Sequence, residues 1–543
     1  MLADVASLAV GARFLIRLPA FLHSPLRPGE ARATLRRRLE SREAALIGLL
    51  RRAVYGYPLS PYRELLRIAG CELGDAERLV RQEGVEGALS GLRQQGVFLS
   101  VQEFKGRQPA IRGSASVEVS PQRLRNPFAT LHVAARTGGS RGAGTPLLFD
   151  LAFIRGCGVN TSLALEARGG ARWQKANWES PGAGARFRLL KLSSFGAPPR
   201  RWFTPVDPHD PSLDPVFRWS ERAMRLGSRL AGVTLPPSTF APFSDPLPVA
   251  RWIAEVLGQG ETPIMIGFAS SVVRLCEASL TAGIDLRGAQ FTLIGEPTTE
   301  ARLRSIRRAG AIAVPRYGTI ETGPIGYGCL APEAADDVHL MHDLQAVIQA
   351  GPSDVPVASS AATALPSSAL FLTALHAAAP FVLLNVSMGD QATLVRRQCG
   401  CPMEQLGWPT HLHTVRSYEK LTAGGMTFLD TDVIRILEEE LPARFGGIPT
   451  DYQLLEQESS SGQPALRLLV HPRLGPLDAQ AIREALLTSL GSGSPIAQVM
   501  VTFWRDAGFL TVERREPLAT HSGKILHLAQ RGSLAPPVMS PTQ

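Results

Sequence analysis

Residues 311–323 read Ala-Ile-Ala-Val-Pro-Arg-Tyr-Gly-Thr-Ile-Glu-Thr-Gly. The apolar run Ala311 to Val314 leads into Pro315 and a polar, glycine-flanked segment, the pattern of a strand end opening into a loop. Tyr317, Gly318, Thr319 and Glu321 then place a flat ring, a hydroxyl and a carboxylate close together. The ring can stack on a nucleobase, the hydroxyl can hold a phosphate, and the carboxylate can bind a hard cation such as Mg²⁺. Taken alone, the segment reads more often as an ordinary Tyr-Gly turn.

The chain just upstream sets the fold class. Pro263 to Phe268 predicts a strand and Ser270 to Ala282 the helix after it. Ala289 to Ile294 predicts the next strand, ending in Gly295-Glu296-Pro297. Thr298 to Ala309 follows as a helix, with Thr298 or Thr299 as N-cap and Glu300 in the first turn. Ala311 to Val314 closes the series. The alternation predicts βαβ units and a mainly parallel sheet. Ligands of such sheets sit beyond the carboxyl ends of strands. Glu296 and the Tyr317 segment both fall there, so they can share one crevice.

Further upstream, Ala129 to Ala135 predicts a strand running into Arg136-Thr137-Gly138-Gly139-Ser140-Arg141-Gly142-Ala143-Gly144-Thr145-Pro146. Glycines with Thr and Ser hydroxyls let backbone N–H groups approach a phosphate. The pattern G-x-x-x-x-G-K-[ST] is absent, and a glycine-rich hairpin without ligand is an equal reading. Residues up to about Pro121 form a mostly helical lead-in.

Downstream, Leu370 to Leu375 and Phe381 to Val386 predict a strand pair. The second strand ends in Ser387-Met388-Gly389-Asp390, where the Asp can accept both hydroxyls of a ribose or simply serve a turn. Residues 351–368, rich in Pro, Ser and Ala, predict a loose surface loop. From about Arg416 the texture becomes that of a small α+β module. It has a helix capped by Asp432, strands at Tyr452–Leu455 and Leu466–Val470, a helix from Asp478 stopped by Gly491, and a last strand at Val499–Phe503. It ends in Thr520-His521-Ser522-Gly523-Lys524-Ile525, before a Pro-rich tail at 531–543 expected to be disordered.

At 543 residues the chain exceeds one ordinary core, so two or three domains are expected. Hydrophobic content of 44% with 19% charged residues is that of a soluble globular protein. The net charge of +9 favours anionic ligands such as nucleotides, or a membrane surface. No Lys/Arg block with interleaved aromatics supports a nucleic-acid partner. Six cysteines in this length make no disulfide framework. Leu2 to Leu22 carries Asp4, Arg13 and Arg17, which argues against a secretory signal or a membrane span. It predicts an amphipathic helix on the protein's own surface rather than on a membrane. The cytoplasm is the expected location, and a homodimer is allowed.

The ordered set of glycine-rich Thr/Ser loop, Gly-Glu-Pro, Tyr-Gly-x-x-Glu, Gly-Asp, Arg hinge and Ser-Gly-Lys resembles the adenylate-forming acyl-CoA synthetase superfamily. Within it the chain is most similar to phenylacetate–CoA ligase and its relatives, over roughly Tyr55 to His527. The resemblance implies an α/β fold. Residues 1–415 would form a large multi-sheet N-terminal domain that binds ATP and acid. Residues 416–530 would form a small mobile C-terminal α+β domain. It implies activation of a carboxylic acid by ATP as an acyl-adenylate, then transfer to CoA.

The same resemblance assigns roles. Thr137, Gly138, Gly139, Ser140 and Gly142 would hold the ATP phosphates. Glu296 and Pro297 would border adenine, and Tyr317 with Gly318 would lie against it. Thr319 would touch the α-phosphate, Glu321 would bind Mg²⁺, and Asp390 would take the ribose hydroxyls. Arg416 would sit at the hinge. Lys524 would stabilise charge developing where the acid carboxylate meets the α-phosphate. Phe268, Ala269 and Ser270 would line the acid pocket. Cys329, His339, Cys399 and Cys401 would form a structural Zn²⁺ site of three thiolates and one imidazole, against the alternative of buried or loop thiols.

The departures from the family bear on the acceptor. The glycine-rich loop lacks its usual basic residue, Tyr418 stands where relatives carry Asp or Lys, and Leu-Asn-Val-Ser-Met precedes Gly389. An adenylating amide synthetase, a ligase charging an acyl-carrier protein, and a catalytically silent nucleotide-binding scaffold are the competing expectations.

Overall fold

In the computed structural model the described residues are 2–129, 133–136, 146–179, 182–209, 215–350, 365–418, 421–423, 426–428, 430–458, 464–492, 498, 501–502, 504–505, 509–520 and 523–530. The larger lobe is built on a ten-stranded sheet. In chain order its strands are β1 Gln174–Trp178, β2 Arg201–Thr204, β3 Ser238–Phe240, β4 Pro263–Phe268, β5 Gln290–Ile294, β6 Ile312–Thr319, β7 Gly323–Gly328, β8 Val338–Leu340, β9 Asp390–Arg396 and β10 Thr410–Ser417. Their order across the sheet is β9-β10-β8-β7-β6-β5-β4-β1-β2-β3.

The expected mainly parallel sheet is only half of this. From β3 to β6 every pairing is parallel, and from β6 to β9 every pairing is antiparallel. The change falls within β6. Its first half pairs with β5 through Pro315, and its second half pairs with β7 from Arg316. Tyr317, Gly318 and Thr319 are therefore strand, with a bulge between Tyr317 and Gly318, and not the loop expected. A bulge re-aims the side chains beside it.

The centre of the parallel half is buried on both faces, which its apolar strands require. Every residue of β5 is buried. Helices α4 Ala269–Thr281 and α5 Glu300–Arg308 cover one face, packing Val272, Leu275 and Ile306 around Phe291 and Leu293. Helices α2 Leu151–Ala167 and α3 Ala183–Ser193 contribute Leu165 and Leu192, which pack with Ile264 of β4. The N-terminal helix α1 Leu2–His23 buries Phe14, Leu18, Phe21 and Leu22 in the main core. Ile16 of the same helix is exposed. Among the described residues no helix is long and apolar enough to cross a membrane.

The smaller lobe has a four-stranded sheet of β11 Tyr452–Glu458, β12 Pro464–Val470, β13 Leu510–Arg514 and β14 Leu528–Gln530, in the order β13-β12-β11-β14. Ile436, Leu437, Leu454, Leu468, Leu486 and Trp504 fill its core.

Three local expectations change. Phe381–Val386 is not a strand; it makes only isolated bridges, and Asn385 sits at φ 50°. The strand expected at Val499–Phe503 is helical at Gln498, Val501, Thr502, Trp504 and Arg505. Val501 and Trp504, three apart, both enter the lobe's core. The helix expected to be capped by Asp432 already begins at Asp430. The glycine-rich residues Thr137, Gly138, Gly139, Ser140 and Gly142, most of the 351–368 segment, and the 531–543 tail lie outside the described residues.

Candidate active site

Lys524 is presented by a tight turn. Gly523 N–H donates to Thr520 O at 2.8 Å, and Lys524 N–H donates to Thr520 Oγ1 at 3.1 Å. Gly523 has φ +91°, and a Cβ there would lie 1.8 Å from the Phe243 ring of the large lobe. Only glycine lets the turn seat against that ring. The lysine then crosses Gly295, the residue after β5. A Cβ on Gly295, at φ +72°, would lie 3.1 Å from both Cε and Nζ of Lys524. Nζ stands 5.2 Å from the Phe268 ring centroid at the end of β4. Burial lowers the Lys524 ammonium, Glu296 partly restores it, and Arg188 lowers it again. Gly523-Lys524 and the Gly-Glu-Pro motif thus meet at the carboxyl ends of β4 and β5.

The carboxylate of Glu296 fixes that meeting. It accepts from Ser270 N–H at 2.7 Å, from Ser270 Oγ at 2.8 Å, and from Ile525 N–H at 3.0 Å. Ser271 Oγ donates to Gly523 O at 3.3 Å. Arg302 of α5 lies between two carboxylates, with Nη1 3.1 Å from Glu296 Oε2 and Nε 2.7 Å from Glu438 Oε1 of the small lobe. All three side chains are at most 2% exposed. His527 Nε2 lies 2.6 Å from Glu438 Oε1, and the Thr299 hydroxyl donates to the other oxygen. Burial alone would raise the Glu438 carboxyl, but Arg302 and His527 outweigh it and hold it at about 2.

The nucleotide-type residues stand together on the antiparallel side. Tyr317 Oη donates to Asp390 Oδ2 at 2.7 Å, joining β6 to the first residue of β9. Burial, then Asp390, raises the Tyr317 phenol, so it remains a donor. Thr319 Oγ1 accepts from Thr322 N–H at 3.1 Å, which fixes the hairpin carrying Glu321. The Glu321 side chain is buried, and its carboxyl is raised by that burial. A divalent cation beside it would restore the anion. Arg416 of β10 donates to Asp336 Oδ2 at 2.7 Å. Asp336 also accepts from the N–H groups of Thr414 and Val415, so it organises the strand that leads into the small lobe. Tyr418, one residue beyond β10, donates its N–H to Gly389 O at 2.9 Å and lies 2.7 Å by its hydroxyl from Ser387 Oγ.

Cys329, His339, Cys399 and Cys401 also converge. Their ligand atoms all lie within 4.8 Å of one another. His339 Nδ1 is 2.6 Å from Trp408 O, so Nδ1 carries the proton and Nε2 faces the thiols. Ala331 N–H donates to Cys329 Sγ at 3.3 Å, and Cys401 N–H to Cys399 Sγ at 3.5 Å. Burial holds the His339 imidazole at about 4, so it stays neutral and able to ligate.

The described residues singled out in the sequence therefore fall into separate groups: Lys524 with Phe268 and the Glu296 turn, Tyr317 with Asp390 beside the hairpin of Thr319 and Glu321, and the four Cys and His donors. Glu296 and Ser270, expected at adenine and in the acid pocket, have their polar atoms committed to the lobe contact. Arg302, Glu438 and His527 carry that contact and were not singled out; no local pattern separates them from surface charges.

No protein-family model and no curated protein matches the chain. Solved structures do. A structure of 2-hydroxyisobutyryl-CoA ligase in the postadenylation state with 2-HIB-AMP aligns at TM-score 0.52 and 12% identity, covering 91% of this chain and 90% of that one. The same ligase with R3-HIB-AMP aligns at TM-score 0.51 and 13% identity over the same shares. At such identity the match speaks for the fold alone: the chain has the fold of these 2-hydroxyisobutyryl-CoA ligase structures.

Proposed function

We propose that the chain is an AMP-forming acid–thiol ligase. It joins a carboxylic acid to ATP as an acyl-adenylate with release of pyrophosphate, then passes the acyl group to the thiol of CoA, as a phenylacetate–CoA ligase does. The carrying observation is Lys524, brought from the small lobe across Gly295 to the strand ends. Adenylation brings two anions together, and a cation placed there in advance lowers the barrier.

The other residues fit the scheme. Asp390 faces the ribose hydroxyls while Tyr317 steadies its carboxylate and offers its ring to adenine. Thr319 lies at the α-phosphate. The buried Glu321 would hold Mg²⁺, which supplies charge neutralisation when bound. Thr137, Gly138, Gly139, Ser140 and Gly142 would hold the outgoing phosphates. Phe268, Ala269 and Ser270 border the path of the acid, and Pro297 the base.

The test is ATP- and acid-dependent pyrophosphate release across a panel of carboxylic acids, followed by CoA, amines or a carrier protein as acceptors. Release with at least one acid, followed by CoA-dependent AMP formation, is the expected result. Nucleotide binding without release for any acid would point to the scaffold instead.

The four converging sulfur and nitrogen donors fit a closed Zn²⁺ site of structural type. Zinc there would tie β8 to the segment before β10, since His339 belongs to the first and Cys399 and Cys401 precede the second. Purified protein is expected to retain about one equivalent of zinc per chain. Cys401→Ser should lose it and unfold at lower temperature. Metal analysis finding no zinc in fully stable protein would remove this assignment.

A further inference from the structure

Beneath the strand that carries Tyr317 lies a small cavity between the sheet and helices α2 and α3. Lys191, Arg316, Thr161, Thr292, Ile266 and Tyr327 line it, among others. Most of its polar walls are satisfied. Thr161 Oγ1 donates to Cys157 O at 2.9 Å, and Tyr327 Oη and Thr292 Oγ1 lie 3.1 Å apart. Lys191 is different. It is 0% exposed, and among the described residues its Nζ has no hydrogen-bond partner. The Phe187 ring centroid lies 5.9 Å from it. Arg316 Nε is likewise buried without an acceptor.

Among the described residues the surroundings supply too little negative charge. Glu179 is the acid facing this region, and Arg188 of α3 already pairs with it, Nε to Oε1 at 2.7 Å. Cys157 is no counterion, because burial raises its thiol to about 12. Burial lowers Lys191 well below the ordinary lysine value, and Arg316 lowers it further. Burial and Arg188 bring Arg316 down to about 10. Burying an unpaired cation is costly, and a methionine would fill the same space at no such cost. The arrangement makes chemical sense when an anion enters.

The position suggests where that anion comes from. Arg316 immediately precedes Tyr317 in β6, so the two side chains leave opposite faces of the strand. Ile266 of the cavity wall and Phe268, the ring 5.2 Å from Lys524 Nζ, are two residues apart on β4 and so share one face of the sheet, which leads from the lysine toward the cavity. Free space in the cavity is that of one water-sized group, so only the end of a ligand can enter, displacing the flexible lysine arm.

We infer that the acid activated at Lys524 carries a second anionic group, and that Lys191 and Arg316 receive it. The substrate class is then a dicarboxylic acid or a carboxylic acid with a distal phosphate or sulfonate. This inference rests on the ligase reading above.

The experiment compares matched acids, hexanoate with adipate and benzoate with isophthalate, in the wild type, Lys191→Met and Arg316→Gln. Pyrophosphate release gives kcat/KM, and thermal shift without ATP gives binding. In the wild type the diacid should exceed its monoacid by roughly tenfold or more, the worth of one charge-assisted hydrogen bond. Lys191→Met should erase that ratio and the diacid thermal shift, while raising the Tm of the free protein. Arg316→Gln should lower the ratio. An unchanged ratio in folded Lys191→Met, a preference for monoacids, or equal stabilisation by chloride and inorganic phosphate overturns the proposal. If no acid is turned over but the diacid shift vanishes in Lys191→Met, the anion site stands and the ligase reading falls.

Discussion

Lys524→Ala is expected to lower acid-dependent pyrophosphate release by about two to three orders of magnitude, the usual loss on removing one preorganised charge-stabilising group. Among the described residues the lysine makes no ion pair that holds the lobes together. Its nearest features are Gly295, the Phe268 ring and, electrostatically, Glu296 and Arg188. The turn that presents it is fixed by backbone groups of Thr520 and Gly523, which the substitution leaves intact. Nucleotide binding should therefore persist, because Tyr317, Thr319 and Asp390 belong to the other lobe and do not depend on the lysine. The loss should appear in kcat rather than in the KM for ATP. Thioester formation from a presynthesised acyl-adenylate should be spared, since the lysine serves the first half-reaction. Gly523→Ala keeps the amine but places a Cβ against Phe243, so it should also be impaired. Undiminished release in Lys524→Ala would remove the assigned role.

The sequence made the strand-and-helix order legible where a single constraint dominates. Pro263–Phe268 and Gln290–Ile294 are covered on both faces, so their residues are nearly all apolar and the reading is unambiguous. The reversal of strand direction inside β6 left no such mark. Pairing direction is decided by which strand comes alongside, and Arg316-Tyr317-Gly318-Thr319 satisfies either a loop or a strand edge. Motif glycines were visible as letters, but their cause was not. Gly295 is small because Lys524, more than two hundred residues later, passes over it.

Buried charge was the least legible feature. Helix α5 carries Arg302, Arg304, Arg307 and Arg308, and only Arg302 is inside. Nothing in the local spacing distinguishes it, because its partners Glu296 and Glu438 come from elsewhere in the fold. Lys191 has a fainter signature, a single lysine between Leu190 and Leu192. Leucines at those positions mark a core-facing stretch, and a lysine among them is a local conflict of the kind that functional sites tolerate.

Arg302→Met is expected to disfavour the closed arrangement of the lobes by about 3–5 kcal/mol, the cost of leaving a buried charge without its partner. Two carboxylates, Glu296 and Glu438, would then face each other from opposite lobes with no cation between them. Each lobe has its own core, built around Phe291 in one and Leu454 in the other, so neither needs to unfold. The small lobe swings away, still tethered where Tyr418 holds Gly389 and Ser387. A shift of that size depopulates the closed state by about two to four orders of magnitude. Adenylation should fall accordingly while ATP binding remains, and small-angle scattering should show a longer molecule. Arg302→Lys should rescue poorly, since one ammonium cannot reach both acids as the guanidinium does. Acid should mimic the substitution. Glu438 is held at about 2, below the ordinary glutamate value, so its contribution is complete above about 4.5 and fades as pH falls toward 2. The wild type should therefore open on acidification in that window, and Arg302→Met should already be open at neutral pH. A neutral-pH scattering curve and adenylation rate identical to wild type would show that Arg302 does not hold the lobes.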